Sequence, residues 1–483
     1  MTAVHRILPD APVAGLRAYR AAGGGQAVGA ALEVDAEALI ATVEESGLRG
    51  RGGAGFPTGP KWRTIATHLS PELPTTVVVN GAEGEPGTFK DRTLLRANPY
   101  AVIEGAVVAA LAVGASDIVV ALKDGDDLGR QRIEQAIREM GDAGMLAGLP
   151  ASVTTGPHHY LYGEETALLE VVDGRPPFPR IAPPYRRGVV EVVEDEDDID
   201  DASNLSGHVE MAGPGPETVA PPALVDNVET LANVPGIVVN GAAWFRELGT
   251  AESPGTILCT VTGDVRRPGV GEVPLGTSVR QAIDAIGGGP AGENQVKAVL
   301  NGVSAAPLPP SLLDTPLTYE DMAGAGSGLG TASLVVIGDS TDMTAVAAGA
   351  ARFLAIESCG QCTPCKADGL ILADALERLC AGEGNAADLD AVAKALTTVA
   401  DGARCNLASQ QQAVVGAILE TWNDELVRRA TAADDIEPVE PVLIAETLDL
   451  ADGEVAVDVR HRDKRPDWSY DEDWSGSYPA DSS

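Results

Sequence analysis

The sequence predicts an α/β domain, followed by a small strand-rich module and then a helical region. Strand-like and helix-like segments alternate from about residue 34 to 172, as expected for a sheet covered by helices. Apolar and polar residues alternate after about residue 255, and the chain is rich in Ala and Leu at helical spacing after about residue 342. The expected domains are residues 1–240, 241–340 and 341–430, with an acidic tail at 431–483.

The first domain should contain strands and helices in alternation. Residues 34–48 place Leu39, Ile40 and Val43 on one side of a helix that ends before a glycine-rich loop, GLRGRGGAGFPTGPKW. The β-branched run TTVVVNG at 75–81 predicts a buried strand. The remaining expected elements are a helix at about 99–114, a strand at 117–123, a helix at about 127–140 and a helix over 164–172.

The second domain should be a small α+β module. The segment GTILCTVTGDVRRPGVGEVPLGTSVRQAIDAIGGG alternates in polarity, turns at Arg267 to Gly269 and runs into one helix. SLVVIGD after Gly330 predicts a further strand. Cys259 lies in a strand pattern and Cys380 in a helical one, so both are expected to be inert packing residues.

Composition indicates a globular protein with an acidic surface. An apolar content of 44% over 483 residues excludes wholesale disorder, and a formal charge of −37 disfavours nucleic acid or an anionic membrane as a partner. The charge could attract a basic protein, but a well-solvated surface is the favoured explanation. EVVEDEDDIDD at 191–201 and the tail beyond about residue 431 are expected to be solvated or disordered.

The sequence also predicts a cytoplasmic protein that is not inserted in a membrane. The longest apolar stretch, residues 101–115, is interrupted by Glu104 and is too short to span a bilayer. The first residues carry arginines without a hydrophobic signal core.

Four cysteines predict a [4Fe–4S] cluster. Cys359, Cys362 and Cys365 follow the spacing C-x2-C-x2-C, and Cys405 would return through the fold to the remaining iron. Structural zinc is the main alternative, although zinc sites usually pair two C-x2-4-C knuckles. Disulfides are the weakest alternative, because six cysteines are sparse and no secretory signal precedes them.

The glycine-rich loop is a candidate phosphate cradle. Without side chains, several backbone N–H groups can approach a phosphate, while nearby cations add charge. Taken alone, the loop also fits a flexible connector, and it is not a G-x-x-x-x-G-K-S/T loop, so kinase and ATPase activities lose their main support. The residues concerned are Gly50, Gly52, Gly53 and Gly55, with Arg49, Arg51 and Lys61.

Four motifs in order make the pattern more specific. They are GLRGRGGAGFPTGPKW, NGAEGEPGTFKDR, YGEETALLEVVDGRP with DNVETLANV, and ESCGQCTPC followed by Cys405. Over about residues 35–425 the chain resembles the NADH-oxidising flavoprotein subunit of respiratory complex I and its relatives in NAD-linked hydrogenases and formate dehydrogenases. The resemblance implies an FMN-binding α/β domain, a β-grasp (SLBB-like) module and a C-terminal helical bundle that carries the [4Fe–4S] cluster.

The resemblance also implies roles for individual residues. NADH would give a hydride to FMN, and single electrons would pass through the cluster to iron–sulfur or ferredoxin-like partner subunits. Glu85 and Glu165 are the implied catalytic residues, and with Phe56 they would border the nicotinamide nucleotide. The implied FMN contacts are Gly50, Gly52, Lys61, Asn80, Glu83, Gly163, Glu164, Asn227 and Thr230.

Several positions depart from the family pattern. Ala82 stands where the family has a carboxylate near the flavin, and Ala182, Tyr185 and Thr64 differ mainly on the nucleotide side. An acidic insertion at about 186–216 separates two halves of the implied site. His158 and His159 lie near the flavin segment, and a structural role is favoured for them over metal binding.

Three functions remain open at this point. The first is the NADH-oxidising subunit described above, with NADPH as the other nicotinamide donor. The second is a flavoprotein that exchanges electrons with a ferredoxin-like partner without nicotinamide use. The third is a non-catalytic scaffold built around the β-grasp module. The chain carries one cluster motif, so partners would have to supply the final electron acceptor.

Overall fold

A four-stranded parallel sheet lies at the centre of the first domain. The computed structural model describes residues 4–69, 73–181, 189–191, 209–211, 221–292, 295–431, 436–451 and 453–482. The strands are β1 (Thr76–Gly81), β2 (Asp117–Lys123), β3 (Ala151–Gly156) and β6 (Ala223–Asn227), in the order β3-β2-β1-β6. The strand order reverses at β1, and ligands of open α/β sheets bind beyond the carboxyl ends of strands at such a point.

Helices cover this sheet. They are α1 (Leu16–Ala21), α2 (Ala27–Leu32), α3 (Ala36–Ser46), α4 (Thr58–Thr67), α5 (Lys90–Ala97), α6 (Pro99–Val113), α7 (Asp127–Asp142), α8 (Glu165–Val172), α9 (Val228–Asn240) and α10 (Ala242–Phe245). Helix α3 begins where Asp35 accepts a hydrogen bond from Ala38 N at 2.8 Å, and it ends at Gly47, whose φ is +70°.

Helix α6 is buried along nearly its whole length, because it is apolar on every side except at Glu104. The buried Glu104 carboxylate accepts hydrogen bonds from Tyr19 OH and Ala27 N. Among the described residues, no single helix is long and apolar enough to cross a bilayer. Helices α5 and α6 are long and apolar enough only when they are taken together, and the chain bends by 96° between them.

The second domain contains a mixed sheet in the order β8-β7-β10-β9. Its strands are β7 (Thr256–Gly263), β8 (Gly269–Pro274), β9 (Val296–Asn301) and β10 (Ser333–Gly338), and its helices are α11 (Val279–Gly287) and α12 (Tyr319–Gly324). Helix α11 begins with a capping box in which Ser278 and Gln281 satisfy each other's backbone N–H groups. Strands β7 and β10 are parallel, whereas β8 and β9 pair antiparallel to their neighbours.

The third domain is helical. Residues 359–365, named the cysteine loop here, follow its first helix and extend into the first turn of its second helix. Its helices are α13 (Met343–Glu357), α14 (Thr363–Ala381), α15 (Ala386–Thr398), α16 (Leu407–Thr421) and α17 (Asn423–Thr431). Cys380 is buried on α14 and Cys259 is buried on β7, in agreement with the packing roles expected for them.

The expectation of a disordered tail is wrong for residues 436–451 and 453–482. They form the hairpin β11 (Thr447–Ala451) and β12 (Glu454–Val457), and their charged side chains Glu446 and Lys464 are buried in ion pairs. Composition suggested solvation because the oppositely charged partners lie far away in the sequence.

The predicted structural role of His159 agrees with its ring stacking on Trp468, with centroids 4.1 Å apart.

The acidic insertion at about 186–216 lies largely outside the described residues. Within it the structure describes a two-stranded antiparallel pair, β4 (Val189–Glu191) and β5 (Val209–Met211). The expectation of a solvated or disordered insertion therefore stays a prediction.

Helix α6 packs so closely on α9 that Gly105 should not tolerate a side chain. A Cβ at Gly105 would overlap the carbonyl oxygen of Leu231. Gly105→Ala should therefore lower the free energy of unfolding by about 1–3 kcal/mol, the usual cost of overpacking a core. Denaturant unfolding measures the change. Gly29→Ala on α2 is the matched control, because no atom lies within 4 Å of its added Cβ, and an equal loss in both variants would contradict the packing argument.

Candidate functional site

Two asparagines stand side by side at the carboxyl ends of β1 and β6. Asn80 and Asn227 are register partners across these strands. Asn80 Nδ2 donates to the carbonyl oxygen of Gly163 at 2.9 Å, while Asn227 Oδ1 accepts from Glu229 N at 2.9 Å and caps α9. These two side chains hold the segment before α8 and the start of α9 at one edge of the sheet, beside the point where the strand order reverses.

Two predicted flavin residues, Glu83 and Glu164, hold the beginnings of helices. Glu83 accepts from Asp91 N at 3.0 Å at the start of α5, and Glu164 accepts from Ala167 N at 2.8 Å at the start of α8. Burial and the neighbouring Asp91 raise the pKa of Glu83 to about 7. The amino ends of α5, α8 and α9 thus meet at the same edge, where their dipoles favour a bound anion.

The glycine loop folds back on itself against this edge. Gly50 N donates to the carbonyl oxygen of Phe56 at 2.8 Å, and Arg51 N donates to Thr230 Oγ1 at 2.8 Å, which attaches the loop to α9. A Cβ at Gly52 would lie 3.3 Å from the Asn227 Cβ and would narrow the gap between loop and strand. The residues present therefore fit a ligand that needs backbone N–H donors and amide groups at close approach.

The arginines of the loop are engaged in structural contacts. Arg51 is buried, lies 3.9 Å from the Glu229 carboxylate and donates through Nε to the carbonyl oxygen of Thr256. Arg49 pairs with Glu320 at 2.6 Å. Both arginines therefore pair with carboxylates of the protein, although the sequence predicted that their charge would face a bound phosphate.

Lys61, a predicted flavin residue, forms an ion pair with Glu165, a predicted nucleotide residue. Its Nζ lies 2.9 Å from the Glu165 carboxylate and donates to the carbonyl oxygen of Val225 on β6 at 2.6 Å. Burial alone would lower the pKa of Lys61, but Glu165 and Asp226 raise it above its ordinary value. Lys61 therefore remains a cation at the β6 edge.

Glu85 lies where the first and second domains meet, and Tyr160 links it to the third. Its carboxylate accepts from Tyr160 OH at 2.6 Å and from Val303 N, in the second domain, at 2.7 Å. Burial raises the pKa of Glu85 to about 7, although these hydrogen bonds oppose the shift. Gln410 Nε2 on α16 donates to the same Tyr160 oxygen at 3.0 Å. Neither Tyr160 nor Gln410 was predicted from the sequence. An aromatic residue three positions before Gly163 was the available signal for Tyr160.

The other predicted nucleotide positions have different environments. Phe56 is 57% exposed, so it is not a core residue, and its ring is available for stacking. Thr64 donates to the carbonyl oxygen of Pro60 within α4, and Ala82 is buried after β1. Ala182 and Tyr185 lie outside the described residues.

The four cysteines lie near the beginnings of two helices of the third domain: the first three lie around the start of α14, and Cys405 lies just before α16. Cys359 and Cys365 are buried, whereas Cys362 and Cys405 are half-buried, and all four are free thiols. Gly360, with φ of +90°, turns the chain between the first two cysteines. Beneath this loop the buried Lys366 ammonium donates to the last carbonyl groups of α13 and to that of Ser358, which fixes the loop at the helix end.

The chemistry of these four side chains fits a bound metal centre. Burial raises the pKa of the Cys365 thiol to about 11 and that of Cys405 to about 12, so an ionised ligand there needs a bound metal. The charges of neighbouring cysteines also raise both pKa values. Four cysteine thiolates are the ligand set that holds a [4Fe–4S] cluster.

Comparison with protein families gives three matches along the chain. Residues 43–236 match the Nuo51 FMN-binding domain, residues 258–305 match the SLBB domain, and residues 345–429 match the NADH-ubiquinone oxidoreductase-F iron-sulfur binding region. The order agrees with the α/β domain, β-grasp module and helical iron–sulfur region expected from the sequence.

Two curated relatives give the same result. The second F-type subunit of the NADH-quinone oxidoreductase of Rhizobium meliloti (strain 1021) is 39% identical over 385 residues, which is 78% of this chain and 85% of the relative. The F-type subunit of the NADH-quinone oxidoreductase of Streptomyces coelicolor is 38% identical over 384 residues, which is 78% of this chain and 79% of the relative.

A solved structure agrees with these relatives. The crystal structure of an NAD+-reducing [NiFe]-hydrogenase in the H2-reduced state matches with a TM-score of 0.70 and 33% identity. The match covers 82% of this chain and 63% of the hydrogenase chain. The chain therefore belongs to the family of NADH-quinone oxidoreductase F-type subunits, whose cofactors are FMN and a [4Fe–4S] cluster.

Proposed function

We propose that the chain accepts a hydride from NADH at the β1–β6 edge and passes single electrons through the four-cysteine site to partner subunits. When bound, FMN accepts a hydride as two electrons and can release them singly to an iron–sulfur cluster. One observation carries the proposal: Tyr160 hydrogen-bonds both Glu85, in the first domain, and Gln410, on the helix that follows Cys405. Tyr160 therefore links the candidate nucleotide site to the helix that follows the fourth cysteine.

In this proposal the flavin site is built from backbone groups, amides and one cation. The glycine loop offers N–H donors, Asn80 and Asn227 place their side chains at the strand edge, and Lys61 supplies positive charge for the phosphate. Glu83 and Glu164 position the amino ends of their helices. The full set is Gly50, Gly52, Lys61, Asn80, Glu83, Gly163, Glu164, Asn227 and Thr230.

Three residues would orient the nicotinamide nucleotide. Phe56 offers an exposed ring for stacking. Glu85 and Glu165 are carboxylates that can accept hydrogen bonds from ribose or carboxamide groups. Glu165 is paired with Lys61 at 2.9 Å, so a ligand phosphate that attracts Lys61 would release this carboxylate for the donor.

The cluster ligands in this proposal are Cys359, Cys362, Cys365 and Cys405. Iron–sulfur or ferredoxin-like subunits would take the electrons onward, because the chain carries one cluster motif. The chain spans 63% of the hydrogenase chain that it matches, and the hydrogen chemistry of that protein is not part of the proposal.

Gly52→Val should abolish most FMN binding. The β-branched side chain would point at Asn227 and fill the gap that the ligand needs. The flavin-to-protein ratio after purification measures the effect. Gly324→Val on α12 is the control, since its Cβ would meet no atom within 4 Å. A full flavin complement in the Gly52 variant would refute the cradle assignment.

Cys362→Ser should remove iron and acid-labile sulfide while leaving FMN largely in place, because the flavin residues belong to another domain. Iron, sulfide and flavin analyses of the purified variant check this. Cys259→Ala is the matched control, since that cysteine is buried in the second domain and should not affect iron content. Unchanged iron in the Cys362 variant, or stoichiometric zinc in the wild type, would contradict the ligand assignment.

Phe56→Ala should weaken NADH binding without releasing FMN. Losing the stacked ring should raise the NADH concentration for half-reduction of the flavin by about twofold to tenfold, corresponding to roughly 0.5–1.5 kcal/mol for an aromatic contact. Reduction by dithionite should be unaffected. Leu128→Ala on α7 removes a similarly exposed apolar side chain and serves as control. An unchanged NADH dependence would show that Phe56 does not border the nucleotide.

A further inference from the structure

The segment beyond the last family match crosses from the helical domain to the FMN domain and back. The match to the iron–sulfur region ends at residue 429, and the described residues 436–451 and 453–482 are here named the C-terminal strap. The strap begins on α13 and α14, where Val442 N donates to the Ala345 carbonyl at 2.9 Å and Val439 N to the Cys380 carbonyl at 2.9 Å. Gly349 allows this close approach, because a Cβ there would overlap the Val442 carbonyl.

Glu446 anchors the strap in the FMN domain. Its carboxylate pairs with Arg92 on α5 and with Lys123, at the end of β2, at 2.6 Å. None of the three side chains is more than 10% exposed. Burial opposes ionisation of Glu446, but Lys123 and Arg92 hold its pKa below the usual range. Separating such a buried pair leaves an uncompensated charge, so this anchor is firm.

A second anchor lies at the end of α13, directly before the cysteine loop. Lys464 Nζ and His461 Nε2 lie 2.6 and 3.0 Å from the Glu357 carboxylate. Trp468 Nε1 donates to the carbonyl oxygen of Ile356 at 2.8 Å. These contacts bring the strap to the helix end from which the loop departs.

The last turn of the strap covers the first part of the cysteine loop. Ala480 N donates to the carbonyl oxygen of Cys359 at 3.0 Å. The Tyr478 side chain packs against Gly360 so closely that a Cβ at Gly360 would lie 2.5 Å from the tyrosine Cβ. Cys359, whose carbonyl oxygen accepts the hydrogen bond from Ala480 N, is buried, whereas Cys362 is half-buried.

We propose that the C-terminal strap is part of the iron–sulfur site, and that its last turn holds the cysteine loop closed and slows the loss of iron to solvent. The inference rests on the assignment of the four cysteines as ligands in the proposed function. The surroundings of a metal centre control the access of water to it, and here Tyr478 and Ala480 supply those surroundings at Cys359. Residues 470–476 before the turn are exposed, so the turn can open locally while Glu446 and Lys464 stay buried.

Two variants test the strap. One ends the chain at Gly476 and removes the whole turn, and the other is Tyr478→Ala. The measured quantity is the rate at which a ferrous-iron chelator extracts iron from anaerobically purified holoprotein, with flavin content followed in parallel. We expect iron extraction to be about fivefold faster in both variants. A fivefold change corresponds to the loss of contacts that contribute about 1 kcal/mol to the equilibrium between the closed and the open turn. Tyr470→Ala is the control, because Tyr470 lies in the exposed stretch before the turn and is itself 48% exposed. Its iron should be extracted at the wild-type rate.

Extraction at the wild-type rate in both variants would overturn the proposal. A shortened protein that purifies with flavin but without iron would support it. If the shortened protein lost both cofactors, its fold would be impaired, and the rate for Tyr478→Ala would decide. Absence of iron and sulfide from the wild type would instead overturn the ligand assignment on which the strap proposal rests.

Discussion

A buried ion pair between Lys90 and Glu229 holds together the segments that form the flavin edge. The two side chains are 1% and 0% exposed and lie 2.9 Å apart, and Asp91 is 2.6 Å from the same ammonium group. Burial would lower the pKa of Lys90, but Asp91 and Glu229 raise it above its usual value. Glu229 also accepts from Leu258 N at 2.9 Å, so the pair joins α5, α9 and the second domain. Removing one partner of such a pair usually costs about 3–5 kcal/mol, so the edge depends on both charges.

Local patterns were sufficient to predict most of the elements around this pair. Strand β1 and helix α6 follow from a β-branched run and an apolar segment, because both depend on neighbours in the sequence. The tail was mispredicted for the opposite reason. Glu446 finds Lys123 and Lys464 finds Glu357 only after the chain has folded, and acidic composition carries no information about such distant partners.

The site shows the same division between local and distant information. The motifs identified residues that the structure brings to one edge, as with Asn80 and Asn227 across β1 and β6. They did not reveal that Arg51 is occupied by Glu229, nor that Glu85 is bound by Tyr160. Those contacts join segments far apart in the sequence, and Tyr160 in turn accepts a hydrogen bond from Gln410 on the helix that follows Cys405.

Anaerobic titration of the purified wild-type protein with NADH, following flavin and cluster absorbance together, tests most directly whether the two sites act as one electron path. We expect the flavin absorbance to bleach and the cluster absorbance to fall in the same titration. Flavin that stays oxidised under excess NADH and NADPH, yet is reduced by a low-potential ferredoxin, would contradict a path that begins at NADH and would favour a flavoprotein that does not use nicotinamide.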